Sequence, residues 1–226
     1  MPVRRSPTRR AAAPKAERAP RIVPLGDAAA WIELGRRLDT ALNTRALRLA
    51  AALKGKRGIV EAMGGYASVT VHYDPNLLSF GGLGRMVREG LRTGKGVPLR
   101  GRLHRVPVTY DGEDLDSVAA ALGLATADVA RRHSGPIYRA FMGGFVPGWT
   151  YLGPLDPALQ LPRRSEPRVA VPAGSVAIAA AQTGIYPLAS PGGWHLIGRT
   201  KLRTFLPDSD PPLLIQPGDR VKFFSV

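Results

Sequence analysis

The chain has 226 residues, 44% of them hydrophobic and 22% charged, with a net charge of +15 and no cysteine. It is long enough to bury one large core or two small ones. The missing cysteines exclude disulfides, thiolate chemistry and cysteine-bound zinc, and no apolar run approaches the roughly 20 residues of a membrane helix.

The first twenty residues hold Arg4, Arg5, Arg9, Arg10, Lys15 and Arg18 against Glu17 alone, five of the fifteen excess charges. Residues 1–20 lack apolar periodicity and the apolar core of a signal peptide, so they are expected to form a disordered basic tail. No aromatic-interleaved basic strand or reader motif accompanies the charge, so nucleic acid is not the expected partner. The expected location is the cytoplasm.

Ordered structure is expected from Arg21. Leu38, Leu42, Ala46, Leu49 and Leu53 share one helical face, with Asp39 placed to cap the first turn. "GIVEAM" and "ASVTVHY", joined through Gly64 and Gly65, read as a hairpin. Leu83, Met86, Val87 and Leu91 mark a second helix, ended by "TGKG". Residues 21–98 are thus assigned to a small α/β domain. "GGLGRMVREG" matches neither nucleotide-binding fingerprint and reads as a flexible helix entry.

From residue 99 the pattern changes. Val106, Val108 and Tyr110 alternate with polar or turn residues, and "DGEDL" opens a helix carrying Leu115, Val118, Ala119 and Leu122, closed by Gly123. A short helix from Thr126 to His133 follows. "RVAVP", "SVAIAA", "WHLIGRT" and "DRVKFFSV" read as short strands separated by turn chemistry. Residues 99–226 are therefore expected to form a closed or nearly closed β-barrel, giving an α+β protein overall.

The densest set of functional candidates lies in "AQTGIYPLASPGGWHLIGRT". Gln182 presents a donor and an acceptor at a strand end beside Thr183. Tyr186 precedes proline and is therefore extended; its hydroxyl either reaches a ligand or packs in the core. Gly192 and Gly193 free backbone N–H groups for an anion. Strict alternation puts His195, Ile197 and Arg199 on one face, so Arg199 either meets an anion inside the barrel wall or pairs with an acid at the surface. His133 is a candidate acid or base, whereas a Ser134–His133 pair is disfavoured because sequence neighbours do not face each other. "GGFVPGWTYLG" reads as a loop-like pocket wall or interface. No ligand spacing for a metal is present.

The run "HSGPIYRAFMGGFVPGWTYLGPLDPALQLPRRSEPRVAVPAGSVAIAAAQTGIYPLASPGGWHLIGRTKLRTF", followed by "QPGDRVKF", strongly resembles the 5-oxoprolinase B-subunit family. That family is also described as allophanate hydrolase subunit 1 or carboxyltransferase subdomain C/D, and it includes an inhibitor of a sporulation histidine kinase. The likeness extends upstream through "VPVTYDGEDL" and, more weakly, "LGDAAAWIELG" and "GGYASVTVHYDP". It implies a small N-terminal α/β domain followed by a cyclophilin-like β-barrel. It also implies work with two partners, a homologous C subunit and an A subunit, in the ATP-dependent opening of 5-oxoproline to glutamate. Under that resemblance Arg199 and the Gly192–Gly193 backbone would meet phosphate or carboxylate, Gln182, Thr183 and Tyr186 would orient the ring amide, and His133 would move a proton. Kinase inhibition and a carboxyltransferase-like role in urea or allophanate metabolism are the alternatives it carries. Two departures stand out: Ala177 and Ala180 replace usual glycines, and Trp149 replaces a usual phenylalanine.

Overall fold

The computed structural model describes residues 19–94 and 101–226. Most of the basic tail expected at 1–20, and the end of "TGKG", lie outside the described residues.

The first lobe opens with strands β1 (Arg21–Pro24) and β2 (Ala29–Glu33), followed by α1 (Thr40–Leu53), β3 (Ile59–Gly64), β4 (Ser68–Tyr73) and α2 (Phe80–Thr93). The strands form an antiparallel sheet in the order β1-β2-β4-β3. Asp39 caps α1 by accepting from Ala41 N at 2.8 Å and Leu42 N at 3.0 Å, the bonds its sequence position predicts. Both helices pack on one face of the sheet, where Ile32, Val69 and Val71 meet Leu49, Leu53, Leu83 and Val87 in one buried cluster. Gly90 lets them approach, since a Cβ there would lie 2.9 Å from Leu49 Cδ1. The other sheet face carries Trp31, Thr70 and Met63, which are paired across β2, β4 and β3 and are not covered by these helices.

The second lobe contains β5 (Leu103–Val108), α3 (Leu115–Leu122), α4 (Thr126–Ser134), β6 (Tyr138–Gly143), β7 (Thr150–Gly153), β8 (Arg168–Val171), β9 (Ser175–Ala179), β10 (Gln182–Ile185), β11 (Ser190–Gly192), β12 (His195–Arg199) and β13 (Arg220–Ser225). Seven of these strands form a sheet in the order β12-β9-β10-β7-β6-β13-β5, while β8 and β11 pair as a separate ribbon. The sheet curls until its edges meet. Thr109, just past β5, exchanges both backbone hydrogen bonds with Arg199 of β12, at 2.9 and 2.8 Å. The result is a nearly closed barrel.

The barrel interior is solid. Val106, Val108, Tyr138, Leu152, Val176, Ile178, Ile185, Ile197, Val221 and Phe223 are buried there, leaving packed side chains rather than a ligand chamber. Because β-strand side chains alternate, Ala177, Ala179, Tyr186 and Leu196 point the other way. They form a separate cluster with Trp149, Trp194 and Val171, roofed by the β8–β11 ribbon. "GGFVPGWTYLG", expected to be loop-like, instead supplies the end of β6 and all of β7, joined by a tight loop in which Gly144, Phe145 and Gly148 take positive φ.

Asn43 joins the two lobes. This fully buried side chain on α1 donates from Nδ2 to Gly65 O and to Phe141 O of β6, both at 2.9 Å. Its Oδ1 accepts from Arg139 Nε at 2.8 Å, and Arg139 also donates to Thr44 Oγ1 at 3.1 Å. An amide can satisfy carbonyls and a guanidinium at once, so a polar residue can sit at this dry junction without an orphaned group.

Candidate functional site

A cleft of about 360 Å³ lies where the lobes meet. The first lobe contributes Trp31, the β2–α1 connection Gly35 to Leu38, and the residues Tyr66 to Ser68; the second contributes Ala180, Ala181 and Gln182. The two walls touch through Tyr66 and Gln182. The Tyr66 hydroxyl accepts from Gln182 Nε2 at 2.8 Å and lies 3.1 Å from Gln182 Oε1. Burial pushes the Tyr66 hydroxyl up to about 12, against the hydrogen bond from Gln182 and the positive charge of Arg163. Tyr66 therefore stays protonated at physiological pH and acts as a hydrogen-bonding group, not a base.

The rest of the lining is small or apolar, with two exceptions. Arg36 pairs with Glu33 at 2.5 Å. Arg37 is exposed at the rim and has no ion pair among the described residues. The cleft thus combines apolar walls, an amide and a phenol that can each donate or accept, and guanidinium groups at its mouth. This set suits a small molecule bearing an amide-like edge and an anionic end.

Ala180 shapes the floor. It begins the tight β9–β10 connection with φ +47°, a left-handed conformation that favours glycine. The alanine's methyl group contributes to the cleft lining.

The sequence-predicted site residues are not gathered in one site: His133 meets Thr183 and Tyr186 meets Gly192, each pair away from the cleft. Gln182 alone lines the cleft. It pairs with Ala179 at one end of β9, whereas Arg199 pairs with Ser175 at the other. Four strand residues, about 13 Å, separate those positions. The β12 register shifts between Leu196 and Gly198, which breaks the strict alternation. As a result Ile197 is buried in the barrel while the Arg199 side chain is largely exposed, bound to Asp111 at 2.6 Å. Of the two placements open to Arg199, the structure has the surface ion pair.

His133 is fully buried at the end of α4, inside the barrel. Its Nδ1 lies 2.7 Å from the Tyr110 hydroxyl and its Nε2 lies 2.8 Å from Thr183 Oγ1. Thr183 donates its own proton to Ala177 O at 2.9 Å, so it accepts from His133, which places the imidazole proton on Nε2 and leaves Nδ1 to accept from Tyr110. Burial lowers the His133 pKa to about 3, keeping the ring neutral. Thr183 therefore faces inward and binds the histidine rather than the cleft.

Tyr186 lies in the outer cluster, its ring 4.7 Å from that of Trp149. Gly192 passes directly over it, since an added Cβ would overlap the Tyr186 hydroxyl, and Gly193 packs against Pro167. The two glycines thus permit close packing of the β8–β11 ribbon. Tyr66, Trp31 and Arg37 escaped sequence reasoning because they belong to the other lobe, and only tertiary contact brings them to the cleft. The one available signal was a Gly35–Arg36–Arg37 break between a strand and a capped helix.

The carboxyltransferase domain, subdomain C and D, family model matches residues 20–215. The 5-oxoprolinase B subunit of Escherichia coli O157:H7 is 41% identical over 203 residues, covering 88% of this chain and 93% of that protein. That of Bacillus subtilis (strain 168) is 37% identical over 218 residues, covering 89% and 91%. Among solved structures, TTHA0988 superposes with a TM-score of 0.79 at 42% identity, covering 88% of this chain and 40% of that one. The urea amidolyase of Kluyveromyces lactis shares the fold with a TM-score of 0.73 at 21% identity, covering 93% of this chain and 15% of that one. On a match spanning nearly the whole chain, this protein belongs to the carboxyltransferase subdomain C and D family, alongside the 5-oxoprolinase B subunits.

Proposed function

We propose that this chain is the B subunit of an ATP-dependent 5-oxoprolinase that opens 5-oxoproline to L-glutamate together with its A and C partners, and that the inter-lobe cleft receives the lactam. Family membership supports the activity, and the Tyr66–Gln182 pair on the cleft wall supports the location.

A lactam is locked in the cis-amide form, so its N–H and C=O point the same way. A primary carboxamide such as that of Gln182 presents the complementary acceptor and donor side by side and can pair with both. The neutral Tyr66 hydroxyl, which lies against these same two atoms, holds the carboxamide in position until the arriving lactam displaces it from that edge. Trp31, Leu38, Ala67, Ala180 and Ala181 suit the ring methylenes, and Arg36 and Arg37 suit the carboxylate.

An amide carbon is a poor electrophile. In the proposed reaction the lactam oxygen takes the γ-phosphoryl group of ATP, with ADP leaving; water then adds to the activated carbon. Cleavage of the ring C–N bond then leaves γ-glutamyl phosphate, and a second water splits the acyl phosphate to give L-glutamate and phosphate. The glycine-rich segment does not form a phosphate-binding loop ahead of its helix. Gly81, Gly82 and Gly84 lie within α2, and its first turn is already capped by Ser79, which accepts from Gly82 N at 3.1 Å.

The test is ATP-dependent glutamate release by this chain assembled with its A and C partners. Gln182→Ala and Tyr66→Phe are expected to raise KM for 5-oxoproline about tenfold or more, the loss of a hydrogen bond to a polar substrate edge. Full turnover by the A and C partners without this chain would overturn its assignment to the enzyme. Unchanged KM in both variants would overturn the cleft as the lactam site.

A further inference from the structure

A second recess, of about 370 Å³, lies in the barrel lobe between a hairpin-like excursion and the turn leading into β13. Phe205 bridges Leu213, Leu206 N donates to Pro212 O at 2.8 Å and Leu214 N to Thr204 O at 3.0 Å, which throws residues 207–211 outward as a tip. The lining is Arg102, Leu206, Asp210, Pro211, Leu213, Leu214, Gln216 and Asp219, none of which lines the inter-lobe cleft.

The charges in this recess are unusual for the chain. The whole protein carries +15, yet here one guanidinium faces two carboxylates. Asp219 is committed to the fold, accepting from Arg102 N at 2.8 Å, His104 Nε2 at 2.8 Å and Gln216 N at 3.0 Å. Arg102 and Asp210 differ, because neither side chain has an ion pair among the described residues, although both line the same recess. Unpaired opposite charges lining one recess together with leucines and a proline match a ligand that carries both charges and an apolar body.

We infer that this recess binds a neutral α-amino acid with an aliphatic side chain, its carboxylate on Arg102, its ammonium on Asp210 and its side chain against Leu206, Pro211, Leu213 and Leu214. An acidic side chain would add a third carboxylate beside Asp219, so glutamate is the poorer ligand. The site is independent of the lactam cleft and of the reading given to it.

Isothermal titration of the full-length chain with L-leucine tests the proposal, with isocaproate (no ammonium), isoamylamine (no carboxylate) and L-glutamate as comparison ligands. L-leucine is expected to bind at millimolar concentration or tighter, at least tenfold better than each of the three. Arg102→Gln and Asp210→Asn are each expected to weaken L-leucine at least tenfold while leaving thermal unfolding of the unliganded protein unchanged. The backbone N–H of Arg102 that holds Asp219 survives the substitution. Absence of L-leucine binding, equal binding of either one-charge analogue or of glutamate, or unaltered binding in both variants would overturn the proposal.

Discussion

Asp114 and Leu196 are joined by two hydrogen bonds across the barrel seam: Asp114 N donates to Leu196 O at 2.9 Å, and Asp114 Oδ2 accepts from Leu196 N at 2.7 Å. A side-chain carboxylate here continues the ladder that Thr109 and Arg199 begin. Its other oxygen accepts from Arg164 Nη1 at 2.7 Å and Arg168 Nη2 at 2.8 Å, tying the loop before β8 and β8 itself to the seam. Burial pushes this carboxyl up. Hydrogen bonds from Arg168 and Leu196 N–H, with the charges of Arg168 and Arg164, more than offset that and hold it below the ordinary carboxylate range.

Asp114→Ala is expected to lower the unfolding free energy by about 3–5 kcal/mol, because it leaves two arginines and a buried N–H without their acceptor. Urea denaturation at pH 7 measures the loss. Since the folded carboxyl has a depressed pKa, its contribution is present above the ordinary carboxylate pKa and disappears as pH falls through the lower folded value.

His133 makes stability depend on pH in a higher range. Its folded pKa of about 3 lies below the ordinary 6.5, so the neutral ring stabilises the fold above pH 6.5. That contribution declines as pH falls towards 3, by about 1.4 kcal/mol per pH unit. Wild type is expected to lose about 2 kcal/mol from this group between pH 7.5 and pH 5. His133→Gln, which cannot titrate, should show a correspondingly flatter profile of denaturation midpoint against pH; parallel profiles would count against the neutral buried ring.

Asn43→Ala removes the amide that serves Gly65 O, Phe141 O and Arg139 Nε. The expected cost is about 3 kcal/mol, since buried partners on both lobes are left unsatisfied. Hydrogen exchange at the amides of the α1–β6 junction should accelerate along with the fall in denaturation midpoint.

Ala180→Gly relieves a left-handed residue of its Cβ but adds chain entropy to the unfolded state. The two effects nearly offset, so stability is expected to rise by no more than about 1 kcal/mol. The same substitution widens the cleft floor, and a change in KM for 5-oxoproline with little change in Tm is the expected signature.

Elements whose apolar spacing is set locally were legible in the sequence. Asp39 and its helix, the Gly64–Gly65 hairpin, Gly123 at the end of α3 and the strands around Val176, Ile197 and Val221 all follow from period and turn chemistry. The change of pattern near residue 99 pointed to two parts, and the family resemblance implied the same order. Less legible were features that depend on register or on distant chain. The bulge at Leu196–Gly198 sends Arg199 outward, and nothing in alternation announces it. His133 has the look of a reactive group, but the hydroxyls of Tyr110 and Thr183, 23 positions before it and 50 after it, occupy both nitrogens. Gln182 was found because a polar residue at a strand end is conspicuous. Its partner Tyr66 lies 116 positions away, and no local pattern could link them.

Asn43 and Arg139 fasten α1 to β6 beside the cleft, so buried hydrogen bonds set the spacing of its two walls. A small molecule entering it meets a shape already set and spends little of its affinity on rearrangement.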